Sequence, residues 1–213
     1  HPTTHPRPRV NRRAPAASSV STRLQNANRS RCAPPAGSET NDDPGTAVAD
    51  LSRLLDLIDS GATTRTALVR HVDDPEGDWR MRVYRRGEPI ALADLLPMLG
   101  HVGLAAIDEH PHRFVIEGIE CFVYDIGVRV SAGIEVDDHR HREVRSTFEA
   151  LLAGEVEADG FNRLVLYAGL TAFQANVLRC YAKYAHQIGF AFSQGYVEDT
   201  LARLAHLAKL LVE

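Results

Sequence analysis

Four of the five residues from 137 to 141, Asp137, Asp138, His139 and His141, form the densest group of ligand-type side chains in the sequence. Two imidazoles and two carboxylates could together hold a divalent cation. Their spacing opposes it. On a helix His139 and His141 point about 200° apart, whereas a shared ion favours residues three or four apart. The two aspartates read instead as a helix N-cap and a first-turn acid. His110 and His112 flank Pro111 in a segment expected to be a solvated loop, with no third ligand or nucleophile beside them in sequence. Cys121 sits in an apolar stretch, where a thiol acts as a small hydrophobe. Cys180, Tyr181, Lys183 and Tyr184 are accounted for by helix packing and an exposed helix face. No catalytic, cofactor-binding or metal residue is predicted.

The absences carry more weight. No GxGxxG follows an expected strand, so these residues encode no dinucleotide-binding loop, and there is no GxSxG elbow. Of the 24 basic residues only Lys183 and Lys209 are lysines, and both fall on amphipathic helices. Chemistry that polarises a carbonyl or imine with a cationic group has no evident centre. The chain by itself is expected to be inactive.

The elements that would position these groups differ along the chain. Residues 1–45 are rich in Pro, Ser, Ala and Arg; Arg7, Arg9, Arg12, Arg13, Arg23, Arg29 and Arg31 face no acid before Glu39. This composition predicts a disordered arm. A basic arm could neutralise phosphates, but a truncated or misassigned start, in a chain that opens on His1, explains it as well, and nucleic-acid binding is the disfavoured reading. The net charge is −4. Cys32, Cys121 and Cys180 are odd in number and far apart, which suits a reducing, cytoplasmic setting rather than a disulfide framework. No apolar run is long enough to span a bilayer.

From Thr46 the apolar spacing predicts a helix that stops at Gly61, then a loop at 73–77, after which Trp79, Met81 and Val83 alternate and predict a first strand at 80–86. Leu92, Leu95, Leu96 and Leu99 predict a helix ending at Gly100 and weakened by Pro97. Extended segments at 103–108 and 114–116 lead through Glu117 and Gly118 into a strand at 119–130. Residues 46–136 thus read as a small ferredoxin-like α+β unit.

Residues 137–213 read as helical throughout. Val144, Phe148, Leu151 and Leu152 mark the first helix, which stops at Gly154. Asp159 caps a short second one that stops at Gly169. Thr171 and Gln174 form a capping box for a third, whose stripe is Phe173, Val177, Tyr181, Tyr184 and Ile188. Ser193 caps a last helix carrying Val197, Leu201, Leu204, Ala208 and Leu211.

The stretch ADGFNRLVLYAGLT at 158–171, followed by VLRCYAKYAHQIGFAFSQGYVEDTL at 177–201, resembles the large-subunit NAD-dependent glutamate dehydrogenases of bacteria. Residues 87–114 and YDIGVR at 124–129 resemble them too, and the likeness runs from about Thr46 to the C-terminus. It implies an ACT-like unit and helices leading into a catalytic core, with the NAD-binding segment and catalytic lysine further downstream. The implied parent activity converts L-glutamate, NAD and water to 2-oxoglutarate, ammonium and NADH, with this segment structural or regulatory. Its implied partners are the rest of its own polypeptide and further copies, and its reading frame is expected to continue past Glu213. One departure stands out: no last strand completes a βαββαβ unit. The alternative reading is a free-standing amino-acid-binding or interaction module.

Overall fold

A computed structural model describes residues 44–70, 75 and 77–213. The predicted arm at 1–45 falls almost wholly outside these residues, as do Asp73, Asp74 and Glu76 of the predicted loop. The chain divides into two compact units, His1–Ser52 and Arg53–Glu213. Helix α1 (Pro44–Ser60) ends in the second, which holds every element below.

That unit is built on a four-stranded sheet of β1 (Thr64–Val69), β2 (Asp78–Arg86), β3 (Ala105–Ile116) and β4 (Ile119–Arg129), in the order β1-β2-β4-β3. Every neighbouring pair is antiparallel. Helix α2 (Leu92–His101) connects β2 to β3, and α3 (Asp138–Leu152) follows β4. The α+β, ferredoxin-like architecture agrees with expectation, with one addition. Strand β1, which its short Thr- and Arg-containing run TRTALV concealed, pairs with β2 from the upstream side. It occupies the edge position that the last strand of a βαββαβ unit would take.

Alternation along β2 sends Met81 and Val83 into a core with Leu95 and Leu99 of α2 and Val144, Phe148 and Leu151 of α3. Burying such side chains contributes roughly 1.5–3 kcal/mol each. The opposite sheet face carries Arg82 and Tyr84, also buried, and Arg53 of α1 meets the Tyr84 hydroxyl there at 3.3 Å.

Several local expectations need correcting. Helix α2 runs through Pro97 and closes at Gly103 rather than Gly100: the Leu104 N–H donates to the Leu99 carbonyl and Gly103 takes φ 84°. An added Cβ on Gly103 would stand 2.8 Å from the Tyr167 ring, so this position needs glycine for space as well as for conformation. His110 and His112 lie in a strand, because β3 is continuous apart from a bulge between Ala106 and Asp108. Pro111 is tolerated there since β3 is an edge strand and need not donate outward. Glu117 and Gly118 both take positive φ, forming the two-residue turn expected between β3 and β4.

The helical extension begins with a 3-10 turn (Gly160–Asn162) and α4 (Arg163–Tyr167), then α5 (Ala172–Gln187), α6 (Gln194–Arg203) and α7 (Ala205–Leu210). The last predicted helix is thus two, broken at Leu204, whose backbone (φ −108°, ψ 45°) leaves the helical region. Short α4 serves two cores: Val165 and Leu166 pack toward the sheet, while Leu164 joins Phe161, Leu178 and Ala208 in a second cluster. Among the described residues no helix is long and apolar enough to cross a membrane.

Candidate functional site

A densely connected polar group lies in the extension. Asp159 caps the 3-10 turn by accepting the Phe161 N–H at 3.1 Å. Its carboxylate also receives two bonds from Arg179 on α5, Nε to Oδ2 at 2.7 Å and Nη2 to Oδ1 at 2.8 Å. Arg179 is only 2 % exposed. Its remaining donors reach Asn162 Oδ1 at 2.8 Å, Asn176 Oδ1 at 2.9 Å and the Glu157 carbonyl at 3.3 Å. The guanidinium carbon sits 5.8 Å from the centre of the Phe161 ring, and Gln194 of α6 donates to Asp159 Oδ2 at 3.3 Å. A buried charge pair is tolerable when its other hydrogen-bonding sites are filled in this way. The arrangement ties three helical segments together and presents no nucleophile or base.

Sequence reasoning found the Asp159 cap and missed Arg179. The signal was present: Ala175, Leu178 and Ala182 set a second stripe on α5, and Arg179 falls within it. The more apolar stripe of the same helix points the other way. Phe173, Tyr181, Tyr184 and Ile188 are 61–75 % exposed, whereas Ala175, Leu178 and Arg179 are buried.

A second network covers part of the outer sheet face. Arg80 Nε meets Asp125 Oδ1 at 2.6 Å and its Nη2 meets Asp108 Oδ1 at 3.0 Å, while Arg82 Nη2 reaches Asp125 Oδ2 at 3.2 Å. Burial works against the Arg80 charge, but Asp125 and Asp108 outweigh it and raise its pKa. The β3 bulge brings the Asp108 carboxylate onto Gly127, whose N–H it accepts at 3.2 Å. A Cβ on Gly127 would lie 2.8 Å from that carboxylate. His110 Nδ1 stands 3.5 Å from Asp108 at the network's exposed end.

The residues of the metal reading diverge. Asp137 caps α3 by accepting the Arg140 N–H at 2.7 Å, a bond that lowers its pKa. His139 Nε2 faces the Gly169 carbonyl at 3.0 Å, and His141 Nε2 faces the Leu68 carbonyl at 2.6 Å. The two rings are thus tied to different elements. Among the described residues no three His, Cys, Asp or Glu side chains gather where they could hold a metal ion. Cys121 is buried, and burial raises its thiol pKa against the opposing pull of Arg86. Cys180 is exposed. Lys183 Nζ pairs with the Glu157 carboxylate at 2.6 Å on the surface.

The fold is that of an ACT-type α+β unit with a helical extension. The profile described as "Glutamate dehydrogenase, ACT3 domain" matches residues 63–141, and "Glutamate dehydrogenase, helical motif 3" matches 156–213. Three curated proteins, each named "NAD-specific glutamate dehydrogenase", align with most of the chain. That of Halomonas elongata is 32% identical over 168 residues, covering 78% of this chain and 10% of its own. That of Pseudomonas aeruginosa is 32% identical over 180 residues, covering 84% and 11%. That of Mycobacterium tuberculosis is 31% identical over 180 residues, covering 80% and 11%. The chain belongs to the family of large NAD-specific glutamate dehydrogenases and spans about a tenth of the length of these relatives.

The described residues do not fit a dinucleotide. Its sheet is antiparallel throughout, so it lacks the crevice at the carboxyl ends of parallel strands where such cofactors lie. Residues 87–91, between β2 and α2, contain one glycine, Gly87, rather than a glycine-rich turn.

Proposed function

We propose that the protein to which this segment belongs oxidises L-glutamate with NAD, giving 2-oxoglutarate, ammonium and NADH, in the cytoplasm and as a homo-oligomer. In this reading residues 46–136 form its ACT-like regulatory unit and residues 137–213 lead toward the catalytic region. The bare face of α5 is the observation that carries the segment's role. Arg179 fixes which side of the helix is buried, leaving Phe173, Tyr181, Tyr184 and Ile188 in solvent. Phe190, Phe192 and Tyr196 continue the exposed surface beyond it, with the last two rings stacked at 4.7 Å. An exposed aromatic and aliphatic surface of this kind marks a docking face, and the remaining polypeptide of the enzyme is its occupant. Nucleic acid and membrane are not among the proposed partners. The free-standing module reading gives no reason for the extension to keep such a face uncovered.

The test uses the product of the complete reading frame. Purified, it should reduce NAD only when L-glutamate is present, and Ile188→Asp should impair both assembly and turnover. Failure of the intact product to reduce NAD with glutamate would remove the proposed activity. Full assembly and turnover in the Ile188→Asp enzyme would remove the docking role.

A further inference from the structure

A cavity of about 360 Å³ opens along the outer edge of β1, within the size range of small-molecule sites. His141, Arg145 and Glu149 stand four residues apart on α3 and therefore share one helix face. The outer two hold the strand: His141 Nε2 donates to the Leu68 carbonyl at 2.6 Å, and Glu149 Oε1 accepts the Thr66 N–H at 2.7 Å. Arg145, between them, lines the cavity, and its Nε is buried with no hydrogen-bond partner among the described residues. Buried polar groups are nearly always paired in native proteins, so this N–H marks Arg145 as a guanidinium that lacks a full set of protein partners while it lines the cavity.

The surroundings say which kind. Arg53 and Arg65 line the same cavity, and Asp56 is the one carboxylate among the lining residues described. The local balance is positive. The Leu68 N–H lies on the same outward edge as the carbonyl that His141 holds, because both groups of a strand residue point to one side. Ala67, Leu68 and Val69 supply an apolar wall.

We infer that this cavity binds a small organic carboxylate, its oxygens bonded to Arg145 and its carbon skeleton against residues 67–69. The use of such a site rests on the regulatory reading of the segment, but its occupancy does not. A failed binding test therefore removes the site and leaves the enzyme assignment standing.

The experiment is calorimetric titration of the whole 213-residue chain with succinate and, separately, with inorganic phosphate at constant ionic strength. Succinate should bind with a dissociation constant near or below about 1 mM and phosphate at least tenfold more weakly, because phosphate gains nothing from the apolar wall. Arg145→Gln should weaken succinate at least tenfold, and Arg65→Gln severalfold. Arg142→Gln, at an exposed position of the same helix, should bind as the parent does. Circular dichroism establishes that each variant is folded; if Arg145→Gln is not, the loss in Arg65→Gln takes its place. No saturable heat with succinate up to about 10 mM, equal affinity in the folded Arg145→Gln chain, or phosphate binding as tight as succinate would each overturn the inference. With Arg145→Gln unfolded, undiminished binding by Arg65→Gln does the same.

Discussion

Arg179 and Asp159 meet through both carboxylate oxygens, at 2.7 and 2.8 Å, across twenty residues of sequence. The pair joins the 3-10 turn to α5, and Gln194 extends it to α6. One ion pair thereby decides which side of α5 is packed and which is displayed.

Replacing Arg179 with methionine would leave the Asp159 carboxylate buried without its partner. A loss of about 3–5 kcal/mol is expected in urea unfolding at neutral pH. The double variant Arg179→Met with Asp159→Leu should recover part of that loss. Recovery stays incomplete because the Phe161 N–H also loses its acceptor. A double variant no better than the single would refute the pairing argument.

Gly103→Ala and Gly154→Ala separate conformational cost from steric cost. Both glycines take positive φ, but a Cβ at 154 meets nothing within 4 Å, while one at 103 meets the Tyr167 ring at 2.8 Å. Each change should cost about 1–2 kcal/mol for the left-handed backbone, with a further loss only at Gly103. Equal losses in thermal unfolding would count against the close approach.

Asp137 gives α3 a pH dependence. Its folded-state pKa lies below the ordinary 3.8, first because it accepts the Arg140 N–H. The stabilisation is therefore whole above the unfolded value and is lost as the pH falls through the lowered folded value. Asp137→Asn can still cap but cannot titrate, so its helix signal should fall less steeply in acid than the parent's. Identical acid profiles by circular dichroism would contradict this.

Cys180 and Cys121 should react with iodoacetamide at very different rates. Cys180 is exposed, whereas Cys121 is buried and burial raises its pKa, so less thiolate is available. Peptide mapping after brief alkylation should find Cys180 modified, and Cys121 only once denaturant is added. Early labelling of Cys121 would mean that β4 opens far more readily than its burial implies.

On the bare face of α5, Tyr181→Asp should leave the unfolding free energy of this chain within about 0.5 kcal/mol of the parent, since Tyr181 is 70 % exposed. The same substitution in the complete enzyme should lower its assembled fraction on size exclusion. A destabilised chain would show instead that the ring packs internally.

Much of this fold was legible in the sequence. Caps at Asp137, Asp159, Thr171 and Ser193 depend only on neighbouring residues, and each forms as its spacing predicted. What escaped were features decided by distant partners. Strand β1 has no strong alternation of its own and is fixed by β2 beside it. Pro111 signalled a loop, yet an edge strand accommodates it. On α5 the more apolar stripe reads as the packed one, because hydrophobic periodicity cannot tell a core from an exposed apolar face. Arg179 was overlooked since a buried arginine becomes intelligible only with Asp159, Asn162 and Phe161 around it.

The early position of β1 also bears on the order in which the protein is made. Every strand of the sheet precedes Val130, so all three ladders can close while the helices of the extension are still being synthesised. A unit whose edge strand came last would leave that position vacant until the chain had returned past its second helix. Here the extension can meet a finished sheet as it leaves the ribosome, and among the described residues the only long connection between paired strands is the one through α2 and β3. Mostly local pairing of this kind favours fast folding and shortens the time for which unpaired strand edges are exposed to other chains.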